Sequence, residues 1–125
     1  MPHPAEHESA HRPLDGREAE ELAESVRAFG SPSRLRLLSA LLDGERTVDE
    51  LAEATAMSPS ATSHQLRILR LARLVYVRRT GRHAFYALYD HHVAELLAAL
   101  RHHHEHVHPP AASDAEAIDT QTVAR

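Results

Sequence analysis

Seven of the twelve histidines in this 125-residue chain lie between His91 and His108, in the run DHHVAELLAALRHHHEHVHP. Imidazoles beside a carboxylate form a donor set for borderline divalent metals. Two pairs stand out: Asp90 with His92, and His103 with His106, a D-x-H and H-x-x-H pattern. On a helix His103 and His106, three apart, can hold one ion together. Asp90 and His92 converge only if Asp90 sits at the N-cap, because i and i+2 diverge on a regular helix.

The same run has helical periodicity. Val93, Leu96, Leu97 and Leu100 recur at i, i+3, i+4 and i+7, giving one apolar stripe. At about 100° per residue, His92, His103 and His106 fall within roughly 60° of one another beside that stripe. Eleven residues at about 1.5 Å each separate His92 from His103 by about 16 Å, far beyond a coordination radius of about 2 Å. One helix therefore cannot close the site. Two copies packed antiparallel can, with Asp90 and His92 of one chain facing His103 and His106 of the other. Two plainer readings remain for individual histidines. A helix C-terminus favours histidinium through its dipole, which accounts for His102 or His104, and a His-rich tract can chelate loosely. An expression tag does not fit a run broken by Glu105 and Val107 and followed by residues 109–125.

Length bounds the chain to one domain with a modest core. The absence of cysteine excludes disulfides, thiolate metal sites and thiol redox sensing. No run of about 18 apolar residues is present and the N-terminus MPHPAEHESAHRP has no signal-peptide core, so a soluble, cytoplasmic protein is expected. The formal net charge of −4 hides a strong asymmetry. Residues 54–89 carry Arg67, Arg70, Arg73, Arg78, Arg79 and Arg82 and no acid, while the flanking segments are net acidic. An acid-free basic third in a mildly acidic chain is the footprint of a nucleic-acid reader.

The elements that must position these groups can be read from caps and periodicity. Residues 1–14 form a His-containing arm, 15–108 the folded domain, and 109–125 a Pro/Ala/Asp-rich tail expected to be disordered. Helix one spans about Asp15 to Phe29, with Leu22, Val26 and Phe29 as its apolar line. Ser31 caps helix two, lined by Leu35, Leu38 and Leu42 and running to Gly44. Thr47 with Glu50 starts a short third helix through a capping box. Ser58 caps a fourth, which runs to about Leu71. Leu74–Arg79 and His83–Tyr89 flank Thr80-Gly81-Arg82 as a β-hairpin, and Asp90 opens helix five. This order, mainly α with one β-hairpin, describes a winged helix-turn-helix. On the fourth helix Ser60, Thr62, Ser63, His64, Gln65 and Arg67 are expected on or near the outer face, as candidates for base edges and phosphates. Arg78, Arg79 and Arg82 at the hairpin tip are candidates for phosphate contact.

The segments SPSRLRLL (31–38), VDELA (48–52), SHQLRIL (63–69) and GRHAFYAL (81–88) together resemble the ArsR/SmtB family of metal-responsive repressors, over roughly residues 17–108. The resemblance implies a homodimeric winged helix whose terminal helices form the interface, and operator double-stranded DNA held by the apo dimer and released by metal. It also carries the family's helix-five sensing site onto Asp90 and His92 with His103 and His106 of the second copy. The nickel- and cobalt-responsive branch looks closest. It implies further ligands at His108 and in an N-terminal Gly-His, where this chain instead begins Met-Pro-His and offers His3. Ni(II) or Co(II) is then the expected effector, with Zn(II) as the alternative. Six N/O donors suit the octahedral ions, four suit zinc. His103 is further expected to relay metal binding through its second ring nitrogen to a backbone carbonyl near Arg73.

A winged-helix regulator of a non-metal signal would keep the basic segment but has no use for the Asp/His set. A metal carrier would keep the histidines without needing the basic hairpin. An enzyme is the poorest fit, with no cysteine nucleophile and no Gly-rich phosphate loop.

Overall fold

The computed structural model describes residues 11–111; the expected arm and tail, with His3 and His7, lie almost wholly outside them. Among the described residues, each helix begins where a short polar side chain takes up a free backbone N–H. Asp15 caps α1 (Gly16–Phe29), accepting from the Glu18 amide at 2.8 Å. Ser31 caps α2 (Pro32–Ala40) and Ser58 caps α4 (Pro59–Leu71), each followed by proline, whose missing N–H costs nothing at that position. Thr47 and Glu50 close the expected capping box at the start of α3 (Val48–Thr55). Asp90 caps α5 (His91–Val107).

Strands β1 (Val75–Thr80) and β2 (His83–Leu88) pair antiparallel from Val75↔Leu88 to Thr80↔His83. Gly81, at φ +58°, supplies the left-handed residue of the two-residue turn. The first strand starts one residue later than the sequence indicates, because Leu74 is drawn into the core and its amide bonds back to the Leu69 carbonyl. Helix α2 likewise stops at Ala40, and the chain turns through Leu41 to Gly44. Arg46 then exchanges both backbone hydrogen bonds with Tyr86, adding a one-residue third strand to the wing.

Leu37, Leu38, Leu51, Leu66 and Leu69 are fully buried where α2, α3 and α4 meet. Phe29 closes this core from α1, Val75 from the wing, and Val93 and Leu97 from α5. The apolar lines read from the sequence on the two outer helices are only partly covered. Leu22 and Val26 of α1 are exposed, the latter 65%. On α5 the four-residue stripe divides: Val93 and Leu97 face the core, whereas Leu96 and Leu100 are each 47% exposed. No helix of the described residues is long and apolar enough to cross a membrane.

Leu66→Ala, at a fully buried position, is expected to cost about 2–5 kcal/mol in equilibrium denaturation, through lost burial and the cavity left behind. Leu96→Ala should cost far less when unfolding is followed at high dilution.

Candidate metal centre and DNA-reading surface

The Asp90 carboxylate does two things at the start of α5. One oxygen accepts the His92 amide at 3.0 Å, and the other stands 3.5 Å from the His92 ring Nδ1. Burial pushes this carboxyl up, but hydrogen bonds from the His92 ring and backbone outweigh it and hold the group below its ordinary value. An oxygen and a nitrogen donor therefore share one spot, in the only arrangement that lets i and i+2 converge. His103 and His106 are exposed near the far end of the same 17-residue helix. Among the described residues, no three His, Asp or Glu side chains within one chain stand close enough to hold a metal.

The other expected ligands fall elsewhere. His3 lies outside the described residues. His108 caps the C-terminus of α5 with its ring 4.7 Å from that of His104, on a different side from His103 and His106. The structure does not bring it together with them. The segment near Arg73, the expected receiver of the His103 relay, meets the start of α5, where the Leu74 carbonyl accepts from the Tyr89 amide and Leu74 shares the core with Val93 and Leu97. His103 lies near the far end of that helix. The cavity beside Arg73, whose φ is +58°, is lined by Glu21, Glu24, Ser25 and Ala28 of α1 together with Ile68, Leu71 and Ala72, and by no residue of α5. Further along, α5 runs beside α2, where Leu97, Leu100, Arg101 and His104 share a cavity of about 470 Å³ with Leu35, Arg36 and Ser39.

On α4, Ser60, Ser63, His64 and Arg67 are exposed, as the reading surface requires. Thr62 is not: its side chain is fully buried and its hydroxyl donates to the Ser58 carbonyl at 2.8 Å. It is removed from the candidate DNA contacts. Gln65 is half-buried, and its side-chain oxygen accepts a 2.9 Å hydrogen bond from Arg34. The same Arg34 guanidinium donates to the Arg27 and Ala28 carbonyls at the end of α1. One arginine, which composition does not distinguish from thirteen others, thus ties α1 and α2 to the reading helix.

The wing arginines also separate. Arg79 and Arg82 are exposed. Arg78 folds back: it meets Glu45 at 2.7 Å, donates to the Thr80 hydroxyl at 2.7 Å and lies 4.9 Å above the Phe85 ring. The hydrogen bond from Arg78 holds the Glu45 carboxyl below its ordinary value. The pair is thus complete at neutral pH and is lost as pH falls through the lowered Glu45 pKa. Arg78 locks the wing to the α2–α3 loop, and part of the basic segment's charge is neutralised from 33 residues away.

A short helix, tight turn, exposed polar helix and basic hairpin define a winged helix-turn-helix DNA-binding regulator. Residues 31–77 match the family described as bacterial regulatory protein, arsR family. The transcriptional regulator NmtR of Mycobacterium tuberculosis is 48% identical over 96 residues, covering 77% of this chain and 80% of that protein. The solution structure of apo-NmtR superposes with a TM-score of 0.67 at 46% identity, covering 81% of this chain and 85% of that one. A Synechocystis protein named as a transcriptional repressor SmtB homolog is 50% identical over 86 residues, covering 69% of this chain and 65% of its own. The homodimeric winged helix-turn-helix domain of Mb0332 from Mycobacterium bovis gives a TM-score of 0.64 at 31% identity, over 72% of this chain and 86% of that one. The chain belongs to the arsR family of bacterial regulatory proteins. Its relatives are named regulators of transcription, and it is a regulator and not an enzyme.

Arg79→Ala or Arg82→Ala should weaken duplex binding and flatten the dependence of log K on log salt by about 0.9 for each phosphate contact removed. Arg78→Ala should leave that slope unchanged, which fluorescence anisotropy across a salt series would read.

Proposed function

We propose that this chain is a metal-responsive repressor that works in the cytoplasm, holding operator DNA as an apo homodimer and releasing it when Ni(II) or Co(II) binds. The observation that carries this reading is the placement of two donor pairs at opposite ends of α5, beside an exposed apolar stripe. Leu96, Leu100 and Val107 are left uncovered by their own chain, and Leu22 and Val26 of α1 add to the apolar surface on the outer helices. An antiparallel meeting of two α5 helices covers the stripe and sets Asp90 and His92 of one copy against His103 and His106 of the other. The donors fit the ion class: three imidazoles and a carboxylate, without thiolate, suit first-row divalent metals. In this reading Ser60, Ser63, His64, Gln65 and Arg67 face the major groove, and Arg79 and Arg82 face phosphates. A coupling of about 1–3 kcal/mol between the two sites changes DNA affinity by about 5–150-fold.

Zinc is the second reading, favoured by the position of His108. With that ring beside His104, four donors remain, enough for a tetrahedral ion. Ligation by His3 together with a sixth donor, such as the N-terminal nitrogen or a water, would restore the octahedral choice.

Two measurements decide the matter. Chains carrying Asp90→Ala/His92→Ala and chains carrying His103→Ala/His106→Ala should each fail to release DNA alone. Mixed, they should recover one intact site per heterodimer and partial release. If either variant alone responds at wild-type metal concentrations, the cross-chain site is wrong. Cobalt-loaded protein should absorb weakly in the visible if six-coordinate; intense tetrahedral absorption assigns the site to zinc. A duplex selected by the protein from a random pool, titrated in parallel with Ni(II), Co(II) and Zn(II), provides the release assay.

A further inference from the structure

Beyond the set used above, the C-terminal turn of α5 holds a histidine pair with a geometry of its own. The His104 and His108 rings are 4.7 Å apart, centroid to centroid, and inclined by 38°. Four residues of helix separate them, a spacing that leaves side chains about 40° apart in rotation and about 6 Å apart along the axis. Two histidines at i and i+4 on one helix face are the zinc-holding half of an H-E-x-x-H arrangement, and residues 104–108 read His-Glu-His-Val-His. By helix geometry His104 points about 100° away from His103 and about 160° away from His106. The pair therefore belongs to another face than the sensing set and is complete within one chain.

We propose that His104 and His108 form a second metal site, one per chain, that chelates a divalent ion through two imidazoles and leaves its other positions to water. Both residues are exposed, so the ion needs no rearrangement of the core to enter. The site sits at the negative end of the helix dipole, with Glu105 adjacent, and both favour a cation. Arg36 and Arg101 line the cavity that His104 borders and oppose it. Two neutral donors against two nearby guanidinium groups make a weaker, faster-exchanging site than a four-donor one. Among divalent first-row ions, copper binds such an N-donor pair most tightly, followed by nickel and zinc. The chemistry stops at binding, since no third protein donor joins the pair among the described residues.

This assignment does not depend on the sensing site, and the test separates the two. Equilibrium dialysis against Cu²⁺ is run on the full chain and on a variant with Asp90, His92, His103 and His106 all replaced by alanine. In both backgrounds His104→Ala should lower binding by one ion per chain, with any arm histidines common to every comparison. In NMR spectra, substoichiometric Cu²⁺ should broaden the His104 and His108 ring signals together in the four-alanine variant. His104→Ala in the otherwise intact chain should leave Ni(II)- or Co(II)-driven DNA release unchanged. Unaltered copper stoichiometry, or ring signals that stay sharp, overturns the proposal. So does loss of DNA release in His104→Ala, which would place His104 in the sensing site.

Discussion

The rise of the α-helix governs what α5 can do. Donors at its two ends cannot meet, whatever their rotamers, so a site that uses both ends has to be built from two copies. The helix also has more apolar faces than its own domain can cover. Val93 and Leu97 dock on the core, and the rotation that buries them leaves Leu96 and Leu100 outward next to His92, His103 and His106. The surface that would drive association and the surface that would hold the ion are therefore adjacent stripes of one cylinder. Any rolling of α5 that improves one contact shifts the other.

A similar economy links the reading head to the remainder of the domain. Besides the shared core, helix α4 and the wing are each tied to neighbouring elements by a guanidinium group that sequence composition assigns to general positive charge. Arg34 fastens α4 to the C-terminal end of α1. Arg78, with Glu45 and Phe85, fastens the wing to the loop between α2 and α3. The Arg46–Tyr86 backbone exchange joins that same loop to β2. Wing and reading helix are thus tied to α1, α2 and the loop after α2, while α5 packs on both α2 and β2 and shares the core with Leu69, Leu74 and Val75.

What could be read in advance were the features set by local rules. Ser31, Thr47, Ser58 and Asp90 announce helix starts because a cap is decided within four residues, and each of them caps as the sequence indicates. The winged helix-turn-helix order and the family follow from the same local signals. Features that depend on partners distant in sequence were not legible. Thr62 looks like a surface residue of a polar helix turn, and only the packing of α4 against its neighbours turns it inward. Glu45 lies outside the acid-free segment, so nothing local reveals that it claims Arg78. Periodicity identified the apolar residues of α1 and α5 but could not say which face the chain itself would cover. That division needs the folded core, and Leu37, left out of the expected line, is among its most buried members.

The bond between Arg34 and Gln65 has a bearing on base recognition. Guanidinium has only donors, so the oxygen of the Gln65 amide must be the atom facing it, and the NH₂ group is turned the other way. The two-point embrace of adenine by glutamine requires that oxygen to receive the base's exocyclic amine while NH₂ donates to N7. If Gln65 reaches a base edge in the proposed reading, its NH₂ donors are free and its oxygen, already sharing one lone pair with Arg34, is the less available group. In that reading it would favour the acceptor edges of guanine or the thymine carbonyl over the two-point contact with adenine. A residue on α2, outside the proposed reading surface, would thereby narrow the alphabet available to α4.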